Sequence, residues 1–472
     1  MSRGIVAAGV HVPRFRIDGD EVSDAWGHFQ ASGVEAKAVA GADEDAVTMG
    51  LAAAEQALSN AGVDAADVGF VGLATTTPPL EEEELAPRLI KALGAPNDAA
   101  TRTATASPAS AAQVIEDALA AEGPALAVAA DAPEGDPASS DHAFGAAGVA
   151  LLIGDDPAVE IGDVAHHSDE YPGIRFRTKH GEDVETLDIT TYQRSAMRES
   201  VTAALSGLDV DLESVAAAAI HQPDGGIPYR ITSDVPLDSE TVHRGTVVDQ
   251  VGDAGTATVP LGIVAAAEAV EADATTVAAF FGGGGSTTAF ALEGALESDL
   301  AETAIGGGEP VSYATYVRER GYVVEGEVAG GGAHVSLPSW RRSLDQRYRL
   351  AAGVCPECGA YAFPPEGACP ACHELVTFER TEMPRTGTVK ALTIIGQGGA
   401  PPEFVPQQDR DGAFGVVIVE LDDGQGSVEL PAQLTDCDPE DVAVGDAVDA
   451  VVRRIYQQEG VPRYGVKFTP AE

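Results

Sequence analysis

Four of the chain's five cysteines fall in one stretch, "CPECGAYAFPPEGACPACHE", as Cys355, Cys358, Cys369 and Cys372. The spacing C-x2-C-x10-C-x2-C makes two knuckles that can set four thiolates at the corners of a tetrahedron. A hairpin this small buries too little apolar surface to fold alone, and a metal ion supplies the missing stability. The pattern predicts a zinc ribbon with a structural zinc, closed to substrate because sulfur fills all four positions; a redox or iron–sulfur role is the alternative. His373, beside the last ligand, reads as a surface residue, and Cys437 as an isolated, partly buried thiol. Every cysteine lies beyond residue 350, so nothing before it can use a thiol. Close cysteine pairs of this kind suit a reducing interior rather than disulfides.

The rest of the chain is bounded by charge. Against 28 Lys+Arg stand 75 Asp+Glu, a net charge of −47 over 472 residues, and only five of the cations are lysines. Such a field repels nucleic acid and anionic lipid, so neither is expected as a partner. At 44% hydrophobic residues the chain is too apolar to be disordered. An acidic, lysine-poor surface over an ordinary core reads as halophilic adaptation to multimolar salt, where screening shortens the Debye length to about 3 Å. An ordinary acidic protein is the alternative. The start, "MSRGIVAAGVHVPRF", lacks the features of a secretion signal. No run of about 18 apolar residues offers a membrane span. A cytoplasmic protein is expected.

From residue 1 to about 296, apolar runs alternate with alanine-rich helical patterns. "VGFVGLAT" (68–75), "ALAVAAD" (125–131) and "GVALLIG" (148–154) read as buried strands, and "EDAVTMGLAAAEQALSNAG" (44–62) as a helix ending at glycine. "VAAAAIHQ" (215–222), "VPLGIVAAAEAVEA" (259–272), "TTVAAFFG" and "STTAFALEG" repeat the style after a break near 158. The alternation predicts an α/β protein. The domains expected are two halves, 1–158 and 159–296, a connector over 297–343 containing "IGGGEP" and "GGGAH", the ribbon over 344–380, and a barrel over 381–472. The last contains five short strands between Gly and Asp turns, as a small antiparallel barrel requires.

Several stretches resemble the thiolase superfamily, in its hydroxymethylglutaryl-CoA (HMG-CoA) synthase and β-ketoacyl synthase III branch. These are "GIVAAGVHVPRFRI" (4–17), "DEDAVTMGLAAAEQAL" (43–58), "HQPDGGIPYR" (221–230), "VGDAGTATVPLGIVAAAE" (251–268) and "FFGGGGSTTAF" (280–290). "YRLAAGVCPECGAYAFPP", the second cysteine pair and "GTVKALTII" resemble the zinc-ribbon and OB-fold module that accompanies such acyl-CoA enzymes. "VSYATYVRERGY" (311–322) is similar to connectors of fused versions. The resemblance implies a thiolase-like layered α/β/α/β/α fold of two similar halves, followed by the ribbon and an OB-type β-barrel. It also implies a homodimer and a coenzyme A thioester as substrate or ligand. The module would bind or position acyl-CoA and bridge to a separate thiolase or synthase.

In that branch a cysteine at a helix N-terminus is acylated, and histidine, asparagine and an oxyanion hole assist the thioester. By resemblance His221 matches the histidine, Asp253 falls on the asparagine, and the Gly282, Gly283, Gly284, Gly285 run could approach a substrate backbone-first. An ordinary glycine turn is the alternative for that run. The cysteine position falls on Ala106 or, one residue along, Ser107, within "TATASPASAAQ" (103–113). Thr75 falls near the branch's acid/base glutamate, and "EEEE" (81–84) reads as a solvated patch. Arg88, Arg230 and Arg244 are candidates for phosphate contact or for surface ion pairs.

Two functions remain open. One is an HMG-CoA synthase-like acyltransferase or condensing-type protein of altered activity, using Ser107 with His221 and Asp253 or omitting the covalent step. The other is a non-catalytic acyl-CoA-binding scaffold that partners a separate thiolase or synthase. A nucleic-acid-binding barrel ranks behind both because of the charge.

Overall fold

A computed structural model describes residues 2–179, 181–187, 189–323, 336–396, 398 and 400–471. "GGGAH" lies outside the described residues. The chain forms two compact units, one of residues 1–90 and 95–320, the other of residues 91–94 and 321–472.

The first unit is built on β1 (Arg3–His11), β2 (Phe15–Asp18), β3 (Ala36–Val39), β4 (Phe70–Ala74), β5 (Ala100–Ala104), β6 (Ala125–Asp131), β7 (Ala147–Asp155), β8 (Val159–Tyr171), β9 (Ala217–Ile220), β10 (Thr275–Gly282), β11 (Gly284–Gly294) and β12 (Glu309–Pro310). Nine of these make one mixed sheet in the order β5-β4-β6-β7-β1-β8-β11-β10-β9. Its two halves meet where β1 touches β8, only at Gly4↔Glu160 and Ile5↔Val159. In each half a parallel pair, β4 with β6 or β9 with β10, is followed by antiparallel neighbours. The second half thus repeats the first, with no counterpart of β5 among the described residues. β12 adds a parallel edge to the small sheet β12-β2-β3.

Helices cover this sheet. α1 (Ala46–Ala61) packs on β1, β6 and β7, and its ends are written locally. The Asp45 carboxylate accepts from Val47 N–H (2.9 Å) and Thr48 N–H (3.1 Å), while Asp45 N–H donates to the Thr48 hydroxyl at 2.9 Å. This capping box is worth about 1 kcal/mol. Gly62, at φ 62°, stops the helix. A Cβ on Gly9 would lie 2.0 Å from Ala53 O, so only glycine lets α1 seat on β1. α2 (Ser110–Ala120) packs on β4 and β6, α3 (Thr190–Ser206) on β8, β10 and β11, and α4 (Thr258–Glu268) on β9 and β10. β6 is buried at every residue, which explains its run of small side chains without alternation.

The second unit contains the ribbon strands β13 (Ala351–Val354), β14 (Tyr361–Ala362) and β15 (Glu379–Glu382). After them come β16 (Thr386–Ile395), β17 (Phe414–Asp422), β18 (Ser427–Gln433), β19 (Ala447–Gln458) and β20 (Val461–Pro470), in the antiparallel order β18-β17-β16-β19-β20. A bridge from Leu434 to Phe468 nearly closes them into the expected barrel, around Val389, Val417, Val419, Val448 and Phe468.

Candidate functional site

The end of β9 places His221. Its N–H bonds Ala279 O at 2.9 Å, continuing the parallel ladder by one residue, so the side chain emerges at the strand's C-terminal end. The next residue holds that end in place. The Gln222 carboxamide oxygen accepts from Val247 and Val248 N–H (2.8 and 3.1 Å), and its nitrogen donates to Gly245 O at 2.9 Å. His221 is buried, with its ring 5.6 Å from that of Phe281. Burial lowers its pKa to about 4; Asp253 opposes the shift and Arg175 adds to it. The imidazole is therefore neutral at ordinary pH.

Asp253 follows Gly252, whose φ of 78° favours glycine. The Asp253 N–H donates to Ala143 O (2.7 Å) and its carbonyl accepts from Gly145 N–H (3.1 Å), which ties the second half to the first. Its side chain is fully engaged: Gly255 N–H and the Thr258 hydroxyl donate to Oδ1 at 2.9 and 3.2 Å, and Arg175 Nη1 to Oδ2 at 2.5 Å. The negative charge at this position is thus neutralised by an arginine that sequence reasoning did not single out. Arg175 comes from a short hairpin closed by the Phe176 and Glu185 backbones, and its guanidinium stands 5.1 Å from the Phe144 ring centre.

These residues surround a cavity of about 260 Å³. His221, Asp253, Arg175, Phe281, Gly283 and Arg230 line it, as do Ser140, Ala143 and Phe144 from the first half and Arg194 from α3. Of the three arginines proposed from sequence, only Arg230 is on this wall. Arg88 pairs with Glu83 at 2.5 Å, and Arg244 donates to Ala216 O at 2.7 Å. The residues of "EEEE" are exposed.

The other expected site residues lie elsewhere. Ala106 is exposed and Ser107 half-buried, and neither lines the cavity. Ser107 N–H donates to the Ser110 hydroxyl (3.2 Å) and its carbonyl accepts from Ser110 N–H (2.9 Å), which shapes the turn into α2. Gly282 to Gly285 form the tight connection between β10 and β11. A Cβ at Gly283 would lie 2.3 Å from Arg175 O, and one at Gly285 2.1 Å from Asp169 O. Both glycines therefore admit neighbouring backbone.

Thr75 belongs to a cluster the sequence hid. Asp131, fully buried at the end of β6, accepts from Thr75 Oγ1 (2.9 Å), Thr76 Oγ1 (2.9 Å), Thr77 Oγ1 (2.7 Å) and the N–H groups of Thr76, Thr77 and Thr256 (2.8 Å each). The carboxylate welds the β4 and β6 ends to the loop carrying Asp253. In the sequence the signals were only "TTT" (75–77) after one buried strand and an aspartate ending a different one.

In the second unit the Sγ atoms of Cys355, Cys358, Cys369 and Cys372 all lie within 4.8 Å of one another. Cys355 and Cys372 are 3.8 Å apart and Cys358 and Cys369 3.6 Å, close to the roughly 3.8 Å edge of a tetrahedron with Zn–S bonds of about 2.3 Å. The donors fit zinc. Gly359 (φ 75°) and His373 (φ 62°) hold the left-handed position that ends each knuckle, and His373 is exposed. A separate cavity of about 520 Å³ lies between the ribbon and barrel, walled by Phe363, Phe404, Phe414, Leu430 and Ile455 with Arg347 and Gln433. Cys437 is half-buried.

Fold and sites together define a thiolase-like protein with a fused zinc-ribbon and OB-barrel module. The chain belongs to the DUF35 family through that module, and its N-terminal part is an HMG-CoA synthase homologue. Family models described as "ChsH2, rubredoxin-like zinc ribbon domain" and "ChsH2, C-terminal OB-fold domain" match residues 342–376 and 380–453. A DUF35 domain-containing scaffold protein of Methanocaldococcus jannaschii is 35% identical over 136 residues, 28% of this chain and 89% of that one. The hydroxymethylglutaryl-CoA synthase of Archaeoglobus fulgidus is 27% identical over 314 residues, 61% of this chain and 88% of that one. Among solved structures, an HMG-CoA synthase complexed with CoA shares the fold, with TM-score 0.63 and 17% identity over 71% of this chain and 94% of that one. Among the described residues no helix is long and apolar enough to cross a membrane.

The neutral His221 has a consequence for pH. Its folded pKa lies below the unfolded 6.5, so the unfolded chain takes up the proton first. Stability present above pH 6.5 is lost as pH falls through about 4, on the order of 3 kcal/mol across the window. Denaturant unfolding of wild type and His221→Gln is expected to converge with falling pH over that window. Parallel curves would show that the ring is not buried neutral.

Proposed function

We propose that the first unit binds an acyl-CoA thioester without becoming acylated, and that the protein serves as a scaffold for a separate thiolase or synthase. One observation carries this reading: among the described residues the cavity wall holds His221 and an Asp253 already bound by Arg175, but no cysteine and neither Ala106 nor Ser107. A Ser–His–Asp relay needs the carboxylate on the histidine and the serine in reach of the ring. Here the carboxylate's partners are Arg175, Gly255 and Thr258. The neutral His221 would offer its ring to the thioester, and the arginines on the wall would favour an anionic ligand. Relatives described as an HMG-CoA synthase and as a scaffold protein agree with the two halves of this reading. The apolar cavity between ribbon and barrel offers an acyl chain a second place.

A second reading, slow acyl transfer through Ser107, has one observation behind it. A Cβ on Gly282 would lie 2.6 Å from Ser107 Oγ, which puts that hydroxyl one residue from the cavity wall. Intact-mass spectrometry and calorimetry with acetyl-CoA at multimolar KCl separate the two. Binding without adduct or released CoA is expected. An adduct abolished by Ser107→Ala would favour the second reading, and robust condensation would defeat the first. The same samples are expected to scatter light as a homodimer, for which the exposed edge of β5 offers a pairing surface. The surface charge, which salt would screen, fits a halophilic cytoplasm.

A further inference from the structure

The chain leaves the first unit through α5 (Tyr313–Glu319) and Arg320, and this exit is fastened deeply. β12 pairs with β2, and Ala42 N–H donates to the buried Glu319 carboxylate at 3.0 Å. Tyr316 OH accepts from Lys37 Nζ at 2.7 Å, and that ammonium also holds the Asp141 carboxylate at 3.0 Å. Arg320, itself buried, approaches the other Asp141 oxygen at 3.3 Å and donates to the carbonyl of Pro133. Two cations and one carboxylate thus meet on the loop between β6 and β7. A surface tether would not need this: burying two charges is favourable only when the geometry is held.

That loop is the cavity wall. Asp141 sits between Ser140 and Ala143, which line the His221 cavity with Phe144. At its start, Asp131 grips the threonines and Thr256. At its end, Gly145 N–H bonds Asp253 O. We infer that Arg320, with Lys37, is a positioning residue of the acyl site: the exit of the chain toward the ribbon and barrel fixes residues 140–144, and with them the pocket. This rests on the cavity being the acyl-CoA site, as proposed above. Binding would then depend on Arg320, the last residue of the first unit.

The test compares full-length wild type, Arg320→Ala and Arg320→Lys, each checked for a cooperative thermal transition. Acetyl-CoA affinity is measured by calorimetry at multimolar KCl, and amide hydrogen exchange by mass spectrometry. Arg320→Ala is expected to bind about tenfold more weakly, the scale of coupling through a packed network. Its Asp141, His142, Phe144 and Gly145 amides should exchange faster, while β16–β20 remain as in wild type. Arg320→Lys, which keeps the charge beside Asp141 and loses the carbonyl contact, should recover part of both effects. Wild-type affinity in Arg320→Ala would overturn the inference. So would unchanged exchange over 140–145. If Arg320→Ala does not fold, the Lys variant decides by the same two measurements. If wild type itself binds no acetyl-CoA, the functional reading falls, and the exchange arm alone decides whether Arg320 holds the wall.

Discussion

Removing the metal from the four-cysteine site is expected to unfold the ribbon while the first unit keeps its own transition. The ribbon has three strands of four, two and four residues, and its core is Cys355, Ala362, Cys369 and Phe378. Two of those four are metal ligands, so without the ion almost no apolar core remains. A structural zinc contributes on the order of 10 kcal/mol to such a module, far more than so few side chains can. The first unit has a separate core and should not respond. Metal analysis should find one zinc per chain. After chelation, or in Cys358→Ser, limited proteolysis should cut between residues 355 and 379. A ribbon that stays protected without metal, or that carries iron, would refute the assignment.

Arg175→Ala should be the most damaging single change at the His221 cavity. It strands the Asp253 carboxylate, whose side chain is only 2% exposed. Breaking a buried pair from one side costs about 3–5 kcal/mol, because the remaining charge is shut off from water and keeps only the neutral donors Gly255 N–H and Thr258 hydroxyl. Asp253→Asn should cost less. The asparagine oxygen can still accept from Gly255 N–H and the Thr258 hydroxyl, and the arginine, 14% exposed, lies closer to solvent. The double variant should recover part of the loss, with a coupling of about 2 kcal/mol in a double-mutant cycle of thermal or denaturant unfolding. Buried pairs are weakly screened, so the effect should persist at high salt. Additive single effects would show that the two groups do not depend on each other.

Much of the architecture could be read before the structure. The strand "ALAVAAD" coincides with β6, the helix 44–62 with α1, and the five strands after residue 384 with β16–β20. Each is marked by neighbours in the chain: a capping Asp45, a glycine at a helix end, small side chains in a strand covered on both faces. The site was only partly legible. His221 and Asp253 were named and do share a cavity, whereas Ser107 and most of the glycine run do not line it. Arg175, Gln222, Asp131 and Arg320 were not foreseen. Asp131 finds its six donors at Thr75, Thr76, Thr77 and Thr256, and Arg175 its carboxylate at Asp253; both depend on which loops the sheet brings to one end.

The sequence by itself determined the zinc ligands, the absence of any thiol before the ribbon, the surface charge and the order of elements. These are properties of residue identity and spacing, and spacing of a few residues is preserved whatever the rest of the chain does. Only the tertiary structure decided that Asp253 spends its charge on Arg175, that Gly283 admits the Arg175 backbone, and that Arg320 grips the loop beside His221. Those contacts join residues 78 to 179 positions apart. Their strength comes from burial, which excludes water from both partners at once, and burial exists only after the two halves have packed.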